Sequence, residues 1–153
     1  MIYFRHIMSP QIIIRFKKLV PEAVVPRQAH PGDAGIDLVS MEKRTIPAGG
    51  RALVRTGLAV EIPVGFEGQV RPRSGLALKR GVTVLNAPGT IDSGYRGEIG
   101  VILANFGTDS FAIEPGDRIA QLVIAPVANV AVEVAVELSE TERGGGGFGS
   151  TGV

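Results

Sequence analysis

Val82-Thr-Val-Leu-Asn86-Ala-Pro-Gly-Thr90-Ile-Asp92-Ser-Gly-Tyr95-Arg-Gly-Glu98-Ile-Gly-Val-Ile-Leu-Ala-Asn105 is the stretch that sorts this chain into a fold class. Two apolar, β-branched runs, 82–85 and 98–105, flank a segment broken by glycine and proline, which is the composition of strands rather than of a helix. A hairpin is the expected local structure. The pattern recurs outward from there, with apolar runs at 11–17, 51–55, 58–62, 119–124 and 130–138. In the last, Val130, Val132, Val134, Val136 and Leu138 alternate with Ala131, Glu133, Ala135 and Glu137, predicting a strand with one apolar face. Only 74–80 reads as a helix, about two turns long with Ser74 as its N-cap. Short strands with turn signals between them, and no long helices, predict an all-β sandwich or jelly roll in a single domain.

Composition removes whole classes of chemistry. The 153 residues include no cysteine and only two histidines, His6 and His30, which excludes thiolate metal sites, disulfides, cysteine nucleophiles and zinc-dependent base deamination. Any metal is then a hard cation held by oxygen. With 16 basic and 15 acidic residues the chain is nearly neutral, which gives no support for binding nucleic acid by charge alone. The charges are segregated, however: residues 1–80 hold 13 Lys and Arg against 6 acids, and residues 81–153 hold 3 against 9. A basic patch in the first half is expected. No run approaches the ~18 apolar residues of a membrane span, and residues 1–8 lack the apolar region of a signal peptide. The reading is of a soluble, cytoplasmic protein beginning at Met1 or Met8.

Five polar segments interrupt the apolar runs. In Pro31–Leu38, Asp33 suits an Asx turn, whereas Asp37 lies between Ile36 and Leu38, where alternation turns its carboxylate away from the core. In 71–80, Arg73 stands beside a helix start whose free N–H groups suit an anion, and a capped surface helix explains the same residues equally well. In 86–98, a hairpin by itself requires neither Asn86 nor Asp92 nor Tyr95. An amide, a carboxylate and an aromatic at these spacings can bind a base, activate water and pack a sugar. In 116–122, Gln121 stands inside an apolar run and predicts a polar partner. Finally, residues 143–153 place Arg143 and Phe148 on a glycine tether. Such a tail reads either as a disordered terminus or as a lid for a nucleotide polyphosphate, with arginine for phosphate and an aromatic for the base. Gly144, Gly146 and Gly149 fit a dinucleotide-binding spacing, but the required strand-turn-helix context is missing.

In chain order, Ala-Gly-Ile-Asp-Leu (34–38), Arg-Ser-Gly-Leu-Ala (73–77), Asn86–Glu98, Gly-Asp-Arg-Ile-Ala-Gln-Leu (116–122) and Arg-Gly-Gly-Gly-Gly-Phe-Gly-Ser-Thr-Gly (143–152) resemble the five motifs of the trimeric deoxyuridine triphosphatase (dUTPase) family. The resemblance covers residues 34–152. It implies a jelly-roll homotrimer with shared active sites that hydrolyses dUTP to dUMP and pyrophosphate with Mg2+. Carried onto this chain, the motifs imply that Asp37 holds magnesium-bound water and that Arg73, Ser74 and Gly75 bind phosphate. Asn86, with the backbone of Gly89, Thr90, Ile91 and Asp92, would read uracil, and Tyr95 would pack beneath the deoxyribose. Asp92 would act as general base, Gln121 would position the water or an α-phosphate oxygen, and Arg118 would support the site. In the tail, Arg143 would meet the γ-phosphate, Phe148 would stack on uracil, and Gly149, Ser150 and Thr151 would donate backbone hydrogen bonds. Gly100 is implied to contact the uracil and deoxyribose as well, at a position where relatives often carry a larger side chain.

The implied organisation is an overhang at 1–10, a β domain at 11–141 and a mobile lid at 142–153. Ordering about six tail residues costs about 6–12 kcal/mol, more than one arginine–phosphate pair returns at roughly 1.5–3 kcal/mol. Closure is therefore expected only with base and γ-phosphate present together. A non-catalytic nucleotide-binding trimer and a dCTP deaminase share the fold. The five intact motifs, Tyr95 and the arginine-glycine tail favour the triphosphatase.

Overall fold

The computed structural model describes residues 11–147. Ten strands and one short helix follow in the order β1 (Arg15–Lys18), β2 (Gly35–Val39), β3 (Arg44–Ile46), β4 (Arg51–Glu61), β5 (Phe66–Arg71), α1 (Ser74–Arg80), β6 (Val82–Val84), β7 (Gly89–Ile91), β8 (Glu98–Asn105), β9 (Phe111–Ile113) and β10 (Arg118–Pro126). They form two four-stranded antiparallel sheets, ordered β1-β4-β8-β6 and β2-β10-β5-β7, and a two-stranded ribbon of β3 with β9. The all-β, jelly-roll-like sandwich predicted from the strand pattern is the observed fold. Between the sheets Leu38, Val54, Leu58, Val60, Ile62, Ile99, Leu103, Ile119 and Leu122 are fully buried. Along β4 and β8 they fall at alternate positions, Val54, Leu58 and Val60 on one and Ile99 and Leu103 on the other, as a pleat requires.

Several local expectations change. The runs 51–55 and 58–62 are one strand, β4, whose register against β8 jumps from Arg55↔Gly100 to Ala59↔Glu98. Gly57 sits in that irregularity with φ +69°, a left-handed conformation that hides the continuity of the strand from an alternation test. Residues 11–14 are not in a strand, and β1 starts at Arg15. The helix spans 74–80 as expected, but its N-cap is Arg73 in extended conformation with no side-chain cap bond, so Ser74 is the first helical residue and not the cap. The simple hairpin across 86–98 is also replaced: β6 and β8 do pair, yet the chain between them crosses over so that β7 joins β5 in the opposite sheet.

The strand expected at 130–138 does not form. Val132, Val134, Val136 and Leu138 are almost wholly exposed, Val134 at 100%. A strand needs a neighbour for its N–H and C=O groups, and among the described residues none pairs with this segment.

One buried polar side chain joins the ribbon to the sandwich. Asn105, at the end of β8, donates to the C=O of Ile46 at 3.0 Å and of Asp109 at 2.9 Å, and its Oδ1 accepts the Gly107 N–H at 2.9 Å. Removing it strands buried backbone groups, so Asn105→Ala is expected to lower unfolding free energy by about 2–4 kcal/mol. Denaturant unfolding at matched protein concentration measures this.

Candidate active site

β7 builds the first part of the site. It is an edge strand, held to β5 by the pairs Val70↔Gly89, Gln69↔Thr90 and Gly68↔Ile91. An edge strand keeps a row of backbone N–H and C=O groups without ladder partners. Beside it lies a recess of about 120 Å³ lined by Val70, Asn86, Gly89, Thr90, Ile91, Tyr95, Glu98, Ile99 and Gly100. A side chain on Gly89 would put its Cβ 3.1 Å from Asn86 Nδ2 and 3.4 Å from Val70 Cβ, so the glycine keeps backbone and amide open to one another.

Tyr95 is pinned at the rim. Its N–H closes a turn on the Asp92 carbonyl at 3.0 Å, and its hydroxyl donates to the Glu98 carbonyl at 2.9 Å. The ring folds over bare Gly97, where a Cβ would lie 2.6 Å from Tyr95 Cζ. Gly100 contributes backbone alone, since a Cβ there would stand 2.6 Å from Leu53 Cδ1.

The second part lies on the outer face of the β2-β10-β5-β7 sheet. Gln121 on β10 is in register with Asp37 on β2 and Arg71 on β5, which lines the three up across neighbouring strands. Asp37 is clamped by two guanidinium groups: Arg73 Nε donates to Oδ1 at 2.9 Å and Arg118 donates to Oδ2 at 3.2 Å. Arg73 also donates to the Arg118 carbonyl at 3.1 Å. The polar partner predicted for Gln121 is the Pro72 carbonyl, reached by Nε2 at 2.8 Å. Gly35 makes room for that amide, because a Cβ there would overlap it. Ser74 and Gln121 line an open depression with Gln69, Arg71, Pro72, Ala87 and Pro88. Two arginines on one aspartate leave net positive charge where α1 begins, a setting for anionic oxygens.

Asp92 belongs to neither cluster. It is exposed and faces a third depression with Thr90, Glu67, Phe66, Ser93 and Asn129. Arg143 is also apart, donating to the Gly146 carbonyl at 3.0 Å beside the Thr141–Gly144 turn. Phe148, Gly149, Ser150 and Thr151 lie outside the described residues. Three groups are thus formed within one chain: a recess with Asn86, Gly89, Thr90, Ile91, Tyr95 and Gly100; a cationic cluster with Asp37, Arg73, Ser74 and Gln121; and Asp92 by itself. Among the described residues no three His, Asp or Glu side chains converge on a metal position.

The residues alone did not reveal Val70, Ile99 or Glu98 as walls of the recess. Glu98 carried a signal, a carboxylate opening an apolar strand three residues after Tyr95. Its Oε2 accepts from Arg55 Nε at 3.1 Å and NH2 at 3.0 Å, and its Oε1 accepts the Gly57 N–H at 2.8 Å. The hydrogen bond and charge of Glu98 push the Arg55 guanidinium pKa above its ordinary value.

Residues 21–152 match the family model described as dUTPase. A deoxyuridine 5'-triphosphate nucleotidohydrolase of Crocosphaera subtropica is 57% identical over 140 residues, covering 92% of this chain and 99% of the relative. One from Clostridium novyi is 56% identical over 137 residues, covering 90% and 96%. Among solved structures, the dUTPase of Staphylococcus bacteriophage 80alpha with dUPNHPP superposes with a TM-score of 0.85 at 32% identity, covering 92% of this chain and 99% of that one. A dUTPase of phage phi11 of S. aureus, described with a structural Mg(II) ion, gives 0.77 at 26% identity, covering 84% and 99%. The chain belongs to the dUTPase family.

Proposed function

We propose that this protein hydrolyses dUTP to dUMP and pyrophosphate, in the cytoplasm and as a homotrimer, keeping uracil out of DNA and supplying dUMP for thymidylate synthesis. The observation that carries the reading is the pairing of a small recess, walled by an edge strand, the Asn86 amide and Tyr95, with a cationic cluster on the same chain. Uracil meets Asn86 and the free backbone groups of Gly89–Ile91, which offer donors and acceptors in the manner of a paired base. Cytosine presents the reversed pattern and would leave buried groups unpaired, a strong basis for rejection. Tyr95 packs beneath the deoxyribose and leaves no room for a 2'-hydroxyl.

The phosphates meet Arg73, Gln121 and the first amides of α1 at Ser74 and Gly75, which have no intrahelical acceptors. Asp92 takes a proton from water as the water oxygen attacks the α-phosphorus. The bond to the bridging oxygen breaks and pyrophosphate leaves, its charge spread over arginine. Arg143, Phe148, Gly149, Ser150 and Thr151 close over the triphosphate. Asp37 is the one carboxylate in the cationic cluster, and each of its oxygens takes a single arginine bond, leaving lone pairs free. Through a bound water Asp37 would hold a magnesium ion, which would help neutralise triphosphate charge.

The separation of Asp92 from the Arg73–Gln121 cluster supports sites completed by neighbouring copies. So does the exposed stripe Val130, Val132, Val134, Val136 and Leu138, which needs a cover.

Asp92→Asn is expected to bind dUTP normally while kcat falls about 10²- to 10⁴-fold, read by calorimetry and by pyrophosphate release with dUTP and magnesium. Near-normal turnover would remove Asp92 from the role of base. Truncation after Glu142 is expected to leave the assembly intact and strongly impair turnover. Because the sites are shared, mixing and reassorting Asp92→Asn chains with truncated chains should restore activity that neither preparation has alone, and no restoration would argue for sites contained in one subunit.

A further inference from the structure

The irregularity between β4 and β8 lies directly behind the recess. From Arg55↔Gly100 to Ala59↔Glu98, β4 spends three intervening residues, Thr56, Gly57 and Leu58, against one on β8, Ile99. Regular ladder bonds cannot form across such a mismatch. Side chains replace them. Glu98 Oε1 accepts the Gly57 N–H at 2.8 Å, and Thr56 Oγ1 donates to the Ile99 carbonyl at 2.7 Å. Arg55 then grips the other oxygen of Glu98 through Nε and NH2.

The same residue, Glu98, faces the recess on its other side. Its carbonyl holds the Tyr95 hydroxyl, and the ring can reach it only because Gly97 has no side chain. Glu98, Ile99 and Gly100 form one wall of the recess. Anything that lets the start of β8 slide therefore moves the wall and the Tyr95 ring together.

An ion pair with Arg55 58% exposed adds little stability in itself. What the two-pronged contact supplies is direction. Glu98 is only 22% exposed, and its carboxylate is the sole side chain bonding both Arg55 and the Gly57 amide among the described residues. Gly57 cannot yield in turn: its φ is +69°, and a Cβ would lie 2.9 Å from both Met41 Cγ and Val20 Cγ2.

We propose that Arg55 and Glu98 are positioning residues for sugar selectivity: the Arg55–Glu98–Gly57 clamp fixes the start of β8 and, through the Glu98 carbonyl, the height of the Tyr95 ring that excludes a 2'-hydroxyl. This rests on the reading of Tyr95 as the floor beneath the deoxyribose. Arg55 does not line the recess, and the Glu98 carboxylate is taken up by Arg55 and the Gly57 N–H. The clamp acts through the 43-residue separation between β4 and β8, closed by Arg55 and Glu98.

The test measures kcat/KM for dUTP and for UTP side by side in Arg55→Met, Arg55→Lys, Glu98→Gln and Tyr95→Ala, with thermal unfolding of each. Displacement of a substrate-positioning group by about 1 Å can cost on the order of 100-fold in rate. Arg55→Met and Glu98→Gln are expected to reduce the dUTP-to-UTP preference by about 5- to 50-fold, a smaller shift of the same kind, with only part of the preference returning in Arg55→Lys, which keeps the charge and loses the fork. Equal losses for both substrates would mean a purely structural clamp and overturn the proposal. An unchanged preference in the clamp variants, with preference lost in Tyr95→Ala, would overturn it as well while sparing the role of Tyr95. An unchanged preference in Tyr95→Ala would remove the floor itself, and the proposal with it. If Glu98→Gln does not fold, the exposed Arg55→Met carries the same comparison.

Discussion

Asp92–Gly97 must carry the backbone from an edge strand of one sheet to an inner strand of the other, and the arrangement of the site depends on that crossing. Because β7 pairs with β5 while β8 pairs with β4 and β6, the two sheets part at this point and leave a recess whose walls come from both. The turn closed by the Tyr95 N–H on Asp92 sets how sharply the chain leaves β7. It also sends two side chains apart, with Tyr95 over the recess and Asp92 toward the neighbouring depression.

The cationic cluster is preorganised by a different device. Asp37 is half-buried between Arg73 and Arg118, and its carboxylate holds both guanidinium groups in place. The cluster sits on the outer face of a sheet whose inner face is the core, and register places Gln121 beside Asp37 without any loop having to find its position. Sites built on strands keep their geometry better than sites built on loops.

Much of this was legible in the residues, for local reasons. The helix at 74–80, the strands at 98–105 and 119–124 and the partnered Gln121 follow from periodicity and from one polar residue in an apolar run. What escaped shares a cause. β5, with Glu67, Gln69 and Arg71 facing out, and β7, only three residues long, are too short or too polar to stand above background. The strand expected at 130–138 has good alternation and no partner among the described residues, so pattern alone overstated it.

By itself the sequence determined the inventory: an all-β chain with no thiol, an arginine-glycine tail, and amide, carboxylate and aromatic side chains spaced for a nucleotide. Periodicity and side-chain chemistry are local properties, and neighbours along the chain suffice to express them. Only the tertiary structure decided which of these groups meet. Asp37 and Arg118 are separated by 81 residues, and Arg55 and Glu98 by 43. Such pairs exist because strand register brings them together, and register is settled by the packing of two whole sheets rather than by any segment within them.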